Sequence, residues 1–371
     1  MRTKTVLIIE DDAGVRALLS ALLAVVCALA ARTLELVDIA SESREEAVIA
    51  EHVLGLLPGA RDAGDTCVLA GTTERGGRPL VLLAGHFDTV PAQGNIPGRR
   101  EAGAVHGLGA SDMKSGLAVM IELALADPAA RTVDLGFVFF PREEVLQSES
   151  ALTPLLERES ALRTADLAVV MEPTDNTLQA GCLGNVNATW TFHGTAGHSA
   201  RPWLADNAVH RAGRGIAALA DVGTEEHTFD GLTFTEAVSV TRVTGGIADN
   251  VIPDRAAAHV NYRYAPGRAP DEAEARLRAW CEPHGPIAIV SHAPSGRVPE
   301  GNPLVRRLRA AGELELQPKQ AWTPVAEFAR AGVDAVNFGP GDPRWAHRPD
   351  EQVADESLQR CYEVLERFAC A

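Results

Sequence analysis

From Pro79 onward, short apolar runs bounded by turn residues alternate with helical stretches, the hydropathy pattern of an α/β sheet. Four runs predict strands, at residues 80–85 (LVLLAG), 133–140 (VDLGFVFF), 166–171 (DLAVVM) and 335–339 (AVNFG). The middle two are nearly all apolar, as strands covered on both faces are. Between residues 183 and 292 the texture changes to strand-like stretches at 187–193, 236–244, 256–264 and 287–290, with helical segments at 206–220 and 270–281. This predicts a small α+β module, 183–292, inserted into a larger α/β domain built from 1–182 and 293–371.

Near the N-terminus, residues 17–31 form an uncharged run rich in Leu, Val and Ala. Arg2, Lys4 and the small-residue stretch Ala28-Leu29-Ala30 give it a superficial likeness to a secretory signal. Three features favour a buried helix instead. Glu10, Asp11 and Asp12 directly precede the run, it is shorter than the ~20 residues that span a bilayer, and a helical pattern continues through 32–57 without a break.

Composition narrows the functional classes. A chain of 371 residues suggests two or three domains, and 46% hydrophobic with 23% charged residues describes a folded, soluble protein. Fifty acidic against 34 basic residues leave a net charge of −16, which argues against nucleic acid and anionic membranes as partners. An anionic small substrate would need local cations. The six cysteines include no C-x-x-C pair, so neither a thiolate zinc knuckle nor a disulfide framework is suggested, and a reducing cytoplasm fits.

Ligands of open α/β sheets bind beyond the carboxyl ends of the strands, and His86, Glu143, Glu144, Glu172 and His347 all fall at or after predicted strand ends. In His86-Phe87-Asp88 the one-residue gap places a histidine and a carboxylate on one face, which suits a metal ligand and its orienter but also a solvated turn. Asp112 stands at the entrance of an apolar helix, where a plain N-cap is the simpler reading. The glycine-rich stretch around it matches neither phosphate-loop spacing. Glu143 and Glu144 directly follow an apolar strand, so one could bind metal while the other serves as a base. Two histidines with three or four carboxylates and no thiolate form a hard donor set suited to one or two divalent ions such as Zn²⁺.

Seven motifs in order, GHFDTVP, GLGASDMKSGLAV, REE, MEP, GTAGHSARP, DNVIP and FGPGDPRWAH, resemble the cocatalytic dizinc aminoacylase and carboxypeptidase family from about Arg32 to the C-terminus. The resemblance implies an α/β fold, with a zinc-peptidase-like catalytic domain on a mixed central sheet and an inserted α+β lid and dimerisation domain. It implies two Zn²⁺ per subunit, with Co²⁺ or Mn²⁺ as substitutes: His86 and Glu172 on one ion, Glu144 and His347 on the other, Asp112 bridging. Asp88 would orient His86, and Glu143 would be the general base. His198 would reach the neighbouring subunit's site in a homodimer and stabilise the oxyanion. Asn250 and Arg263 match substrate-contacting positions, with Arg201 and Thr323 as weaker candidates. The implied reaction is hydrolysis of the acyl amide of an N-acyl amino acid, N-succinyl-LL-diaminopimelate foremost. Acetylornithine deacetylation and glutamate carboxypeptidase activity are the sister alternatives, and a metal-retaining, non-catalytic binding protein is the rival of another class.

Departures from the family pattern fall outside the implied ligands: Leu108, Ser115, Pro141, and the stretch Thr323-Pro324-Val325-Ala326-Glu327-Phe328. Glu327 stands where an arginine is usual, which would disfavour an anionic substrate if it faced the pocket.

Overall fold

The computed structural model describes residues 13–371; the acidic Glu10, Asp11 and Asp12 lie outside them. Eight strands form a mixed sheet in the order Arg61–Asp62, Val68–Gly71, Asp134–Phe140, Leu80–His86, Leu167–Val170, Ala335–Asn337, Leu178–Ala180, Leu316–Pro318. The four middle strands run parallel. Their apolar runs are buried because each face is covered. Val81 and Leu83 join one core with the helices Lys114–Leu125 and Asp355–Cys370, while Leu80, Leu82 and Ala84 join another with Leu152–Arg158 and Val325–Arg330.

The N-terminal helix spans Ala13–Val37. Leu29, Ala30, Leu36 and Val37 are buried in the core, whereas Ala24, Cys27 and Ala28 are exposed. No described helix is long and apolar enough to cross a membrane. The expected unbroken helix through 32–57 is corrected: the chain leaves the helix after Val37 and re-enters one at Ala47–Leu56. The intervening polar residues are held by the His86-Phe87-Asp88 segment. Ser41 Oγ donates to the Phe87 carbonyl at 2.8 Å, the Thr89 amide donates to the Ser41 carbonyl at 3.0 Å, and Ser43 Oγ donates to Asp88 Oδ2 at 2.8 Å.

A second, antiparallel sheet has the order Thr224–Phe229, Leu232–Gly245, Arg255–Tyr264, Gly184–His193, Ile287–Ala293. Alternation sorts its two faces. Val186, Ala188, Trp190 and Phe192 pack with Val260 and Tyr262 into a core that includes Ala208, Ala212 and Leu219 of the helix Ala208–Ala220 and Ala273, Leu277 and Cys281 of Pro270–Cys281. Asn185, Asn187, Asn261 and Arg263 take the half-buried alternate positions. The strand Thr224–Phe229 (TEEHTF) was not predicted, because a polar edge strand carries no apolar alternation. It reaches only as far as Ala237 of its neighbour, so among the described residues 238–245 pair on one side alone.

Candidate metal centre

The parallel strands deliver the site residues to one end of the sheet. His86 ends the strand Leu80–His86, and its Nδ1 lies 2.9 Å from the Asp88 carbonyl oxygen and 3.4 Å from Asp88 Oδ1. The carbonyl contact places a proton on Nδ1 and turns Nε2 toward Asp112 Oδ1 at 3.4 Å and Glu172 Oε1 at 3.9 Å, where a deprotonated Nε2 could serve as a metal ligand. On the other side, His347 Nε2 lies 2.8 Å from Glu144 Oε1 and 3.5 Å from Asp112 Oδ2. Asp112 is common to both groups, and within each group the candidate ligand atoms lie within 4.8 Å of one another; Glu143 forms a further group with His86 and Glu144.

The donor atoms fit a metal on a physical test. His86 Nε2, Asp112 Oδ1 and Glu172 Oε1 are buried with no hydrogen-bond partner, a costly state for polar atoms unless a cation completes them. The electrostatics agree. Burial, reinforced by the Asp112 charge, pushes Glu172 up to about 7, and burial with the Glu172 charge raises Glu143 well above the usual carboxylate range. Burial opposes charge on His86, but Asp112 and Asp88 outweigh it and raise its pKa. Asp112 and Glu144 hold the His347 imidazolium up to about 11. Without a cation, burial and mutual repulsion therefore make Glu143, Glu144 and Glu172 hold protons more tightly than free carboxylates do, while His347 and His86 outweigh burial and keep Asp112 ionised.

Asp88 does more than orient His86. Its carboxylate accepts the amides of Glu143 and Glu144, each at 2.9 Å, which anchors the Glu-Glu pair through the backbone. Burial opposes its charge, yet His86 and these amides lower it to about 2. Glu351, which sequence reasoning missed, has a parallel role. It is buried and accepts the amides of Gly109, Ser111 and Asp112 at 3.0, 2.9 and 2.9 Å, fixing the loop that presents Asp112. Only its place four residues after His347 could have signalled it. Glu351→Ala is expected to leave the fold intact and weaken metal binding roughly 10–100-fold, as removal of outer supports does, measurable by competition with a chelating dye.

A cavity of about 650 Å³ opens beside this cluster, lined by Glu143 and Glu144 on one side and by Asn185, Asn187, Arg263 and Ser291 of the second sheet on the other. Arg263 is therefore brought to the site. Thr323 is buried beside cavity-lining Trp322, its hydroxyl without a partner. His198, Arg201 and Asn250 are exposed and do not line the cavity. They cluster elsewhere on the inserted segment, where the Ser199 amide donates to the Asn250 carbonyl and the Arg201 amide to that of His198. Glu327 does not face the cavity. It is buried, its oxygens bonded to Ser150 Oγ at 3.0 Å and to the Thr153 hydroxyl at 2.6 Å, so the feared repulsion of an anionic substrate does not arise. A further acidic grouping, Glu225, His227 and Glu236, is spoken for: Glu236 already accepts bonds from Tyr262, Arg268 and Arg276.

An α/β sheet that gathers two carboxylate–imidazole groups around one shared aspartate belongs to the metal-dependent hydrolases. Comparison with known proteins makes this specific: the chain is a member of peptidase family M20/M25/M40, whose model matches residues 82–371. A succinyl-diaminopimelate desuccinylase of Corynebacterium glutamicum is 36% identical over 348 residues, covering 91% of this chain and 94% of the relative. A Mycobacterium tuberculosis protein, provisionally named for the same activity, is 39% identical over 344 residues, covering 91% and 96%. Among solved structures, the aminopeptidase PepT of Bacillus cereus superposes with a TM-score of 0.73 at 19% identity, over 93% of this chain and 98% of that one. The YXEP protein of Bacillus subtilis, described as a dinuclear metal-binding peptidase, gives 0.66 at 16% identity, over 94% and 98%.

Proposed function

We propose that the chain is a dizinc amidohydrolase that cleaves N-succinyl-LL-diaminopimelate into succinate and LL-diaminopimelate, a cytoplasmic step toward lysine and diaminopimelate. The observation that carries the two-metal reading is Asp112, whose two oxygens face His86 on one side and His347 on the other. The choice of acyl group rests on the relatives' names. His86 with Glu172, and Glu144 with His347, would hold two Zn²⁺ that share Asp112 and supply Lewis-acid activation of the amide carbonyl and the attacking water. Co²⁺ or Mn²⁺ would substitute.

The remaining work falls to this chain's own groups. Glu143, anchored through its amide by Asp88, takes the proton of the attacking water and delivers it to the leaving amine. Arg263 receives a substrate carboxylate at the cavity wall, and Thr323, next in sequence to cavity-lining Trp322, is a second candidate contact. His198, Asn250 and Arg201 are exposed and do not line their own cavity, which supports a role from a second copy, with His198 as donor to the developing oxyanion.

A strand edge supplies the seam for this dimer. Among the described residues, 238–245 pair on one side alone, and Val243 and Ile247 are 50% and 89% exposed there. Val243→Lys is expected to shift the protein from dimer to monomer by light scattering and to abolish turnover without loss of metal. The function is tested by chelating the protein, restoring zinc, and following amine release from N-succinyl-LL-diaminopimelate and N-acetylornithine in parallel. Zinc-dependent turnover of the succinyl substrate supports the reading, and preference for the acetyl substrate moves the chain to a sister activity.

A further inference from the structure

The cavity wall contributed by the second sheet carries a continuous chain of amide contacts. Arg263 Nε donates to Asn261 Oδ1 at 3.1 Å, and Asn261 Nδ2 donates to Asn185 Oδ1 at 2.6 Å and to Asn187 Oδ1 at 2.8 Å. Asn187 Nδ2 in turn donates to Ser291 Oγ at 3.0 Å. The residues sit on three neighbouring strands at matching register, Asn261 opposite Asn187, Arg263 opposite Asn185, and Ser291 opposite Asn187.

The direction of every bond follows from one fact. A guanidinium only donates, so the amide oxygen of Asn261 must face Arg263. The Asn261 nitrogen then faces its other neighbours, which must turn their oxygens toward it. Each side-chain oxygen of the ladder accepts a bond from within it. The end of the Arg263 guanidinium, the remaining amide hydrogens of Asn185 and Asn187 and the Ser291 hydroxyl proton are left for the cavity that these residues line. Arg263 has no carboxylate partner among the described ion pairs, in a chain whose net charge is −16.

We infer that Asn261 is a positioning residue that sets the polarity of this ladder, so that Arg263 and its neighbours turn their donors toward the cavity and favour a substrate carboxylate remote from the scissile amide. This deepens the proposed amidohydrolase reading and rests on it. Such a donor row centred on a guanidinium binds a carboxylate with charge-assisted, bidentate bonds, holds a neutral amide oxygen more weakly, and disfavours an ammonium group at the same place.

The test is a coupling measurement on the metal-loaded protein with Asn261→Ala, Arg263→Ala and the double variant, using whichever N-acyl amino acid the protein hydrolyses. The expected result is a KM raised about tenfold or more by either single change with kcat within about threefold, as loss of uniform binding requires. In the double variant, Asn261→Ala should add less than about twofold to the effect of Arg263→Ala, because it acts through the arginine. Asn261→Asp keeps the contact to Arg263 but removes the donor to Asn185 and Asn187, and it should also raise KM. Independent, multiplying effects, or a fall in kcat at constant KM, would overturn the inference. If no substrate turns over, the activity reading fails on its own. The ladder is then judged by calorimetry with succinate, whose affinity should show the same non-additive loss, and an unchanged affinity in Asn261→Ala overturns it.

Discussion

In zinc-loaded protein, Glu143→Ala is expected to lower kcat by about 10²–10⁴-fold, the usual contribution of a positioned acid–base group, with the metal content unchanged. The expectation rests on where the side chain stands. Glu143 is carried by the same short segment as Glu144, and Asp88 fixes both amides, so neighbouring side chains diverge from one rigid base. Glu144 turns to His347 at 2.8 Å, while Glu143 stays outside the two groups that share Asp112 and lines the cavity. A base has no use in a closed structural metal site. If the protein were a metal-retaining binding module, the substitution would leave every measured property as it was, so a rate within a few-fold of the parent removes the assigned role. Zinc content by atomic absorption on the same samples separates loss of the base from loss of the metal.

The second large effect belongs to Asp112. Asp112→Ala should reduce bound zinc from two to fewer than one per chain and bring hydrolysis to background, whereas Glu172→Ala or His347→Ala should each empty one position preferentially. The difference follows from the shared carboxylate: Asp112 faces both imidazoles, while the other ligands face one. Stability offers an independent readout. A ligand that binds only the folded state stabilises it by about 2.7 kcal/mol at a hundred times its dissociation constant. Zinc should therefore raise the melting temperature of the parent protein and leave that of Asp112→Ala almost unmoved. Equal zinc-induced shifts in both proteins would show that Asp112 does not bridge.

Much of this site could be read from the chain because His86, the Glu143–Glu144 pair and Glu172 each stand at or just after the end of an apolar run, while Asp112 precedes one and His347 lies in a turn-rich loop. The strand at 80–85 ends one residue later than expected, on His86 itself, and the runs before Glu143 and Glu172 are buried strands as their composition demanded. What escaped notice was polar structure that works through the backbone. Glu351 holds three amides, and Ser41 and Ser43 break a helical pattern in order to brace Phe87 and Asp88. Neither effect leaves a periodic trace. The strands bearing Asn187 and Asn261 were expected, the first at 187–193 where the structure extends it to Gly184–His193 and so includes Asn185, but alternation says only which face is polar, and the direction of the amide bonds between strands depends on register. His198 and Asn250 were legible as motifs, yet a motif does not say whose cavity it serves.

Glu327 is a last example of a residue whose meaning changed with its surroundings. Its carboxylate reaches from the helix Val325–Arg330, directly after Thr323, to Ser150 and Thr153, on the stretch of chain that leaves Glu143 and Glu144. The acid thus joins the stretch that follows Glu143 and Glu144 to the stretch that follows cavity-lining Trp322. An arginine at 327 would bury a cation against donors already arranged for an anion. A change of charge at that position would therefore act on how these two stretches are joined, whereas the side chains that can meet a substrate directly are those of the cavity lining.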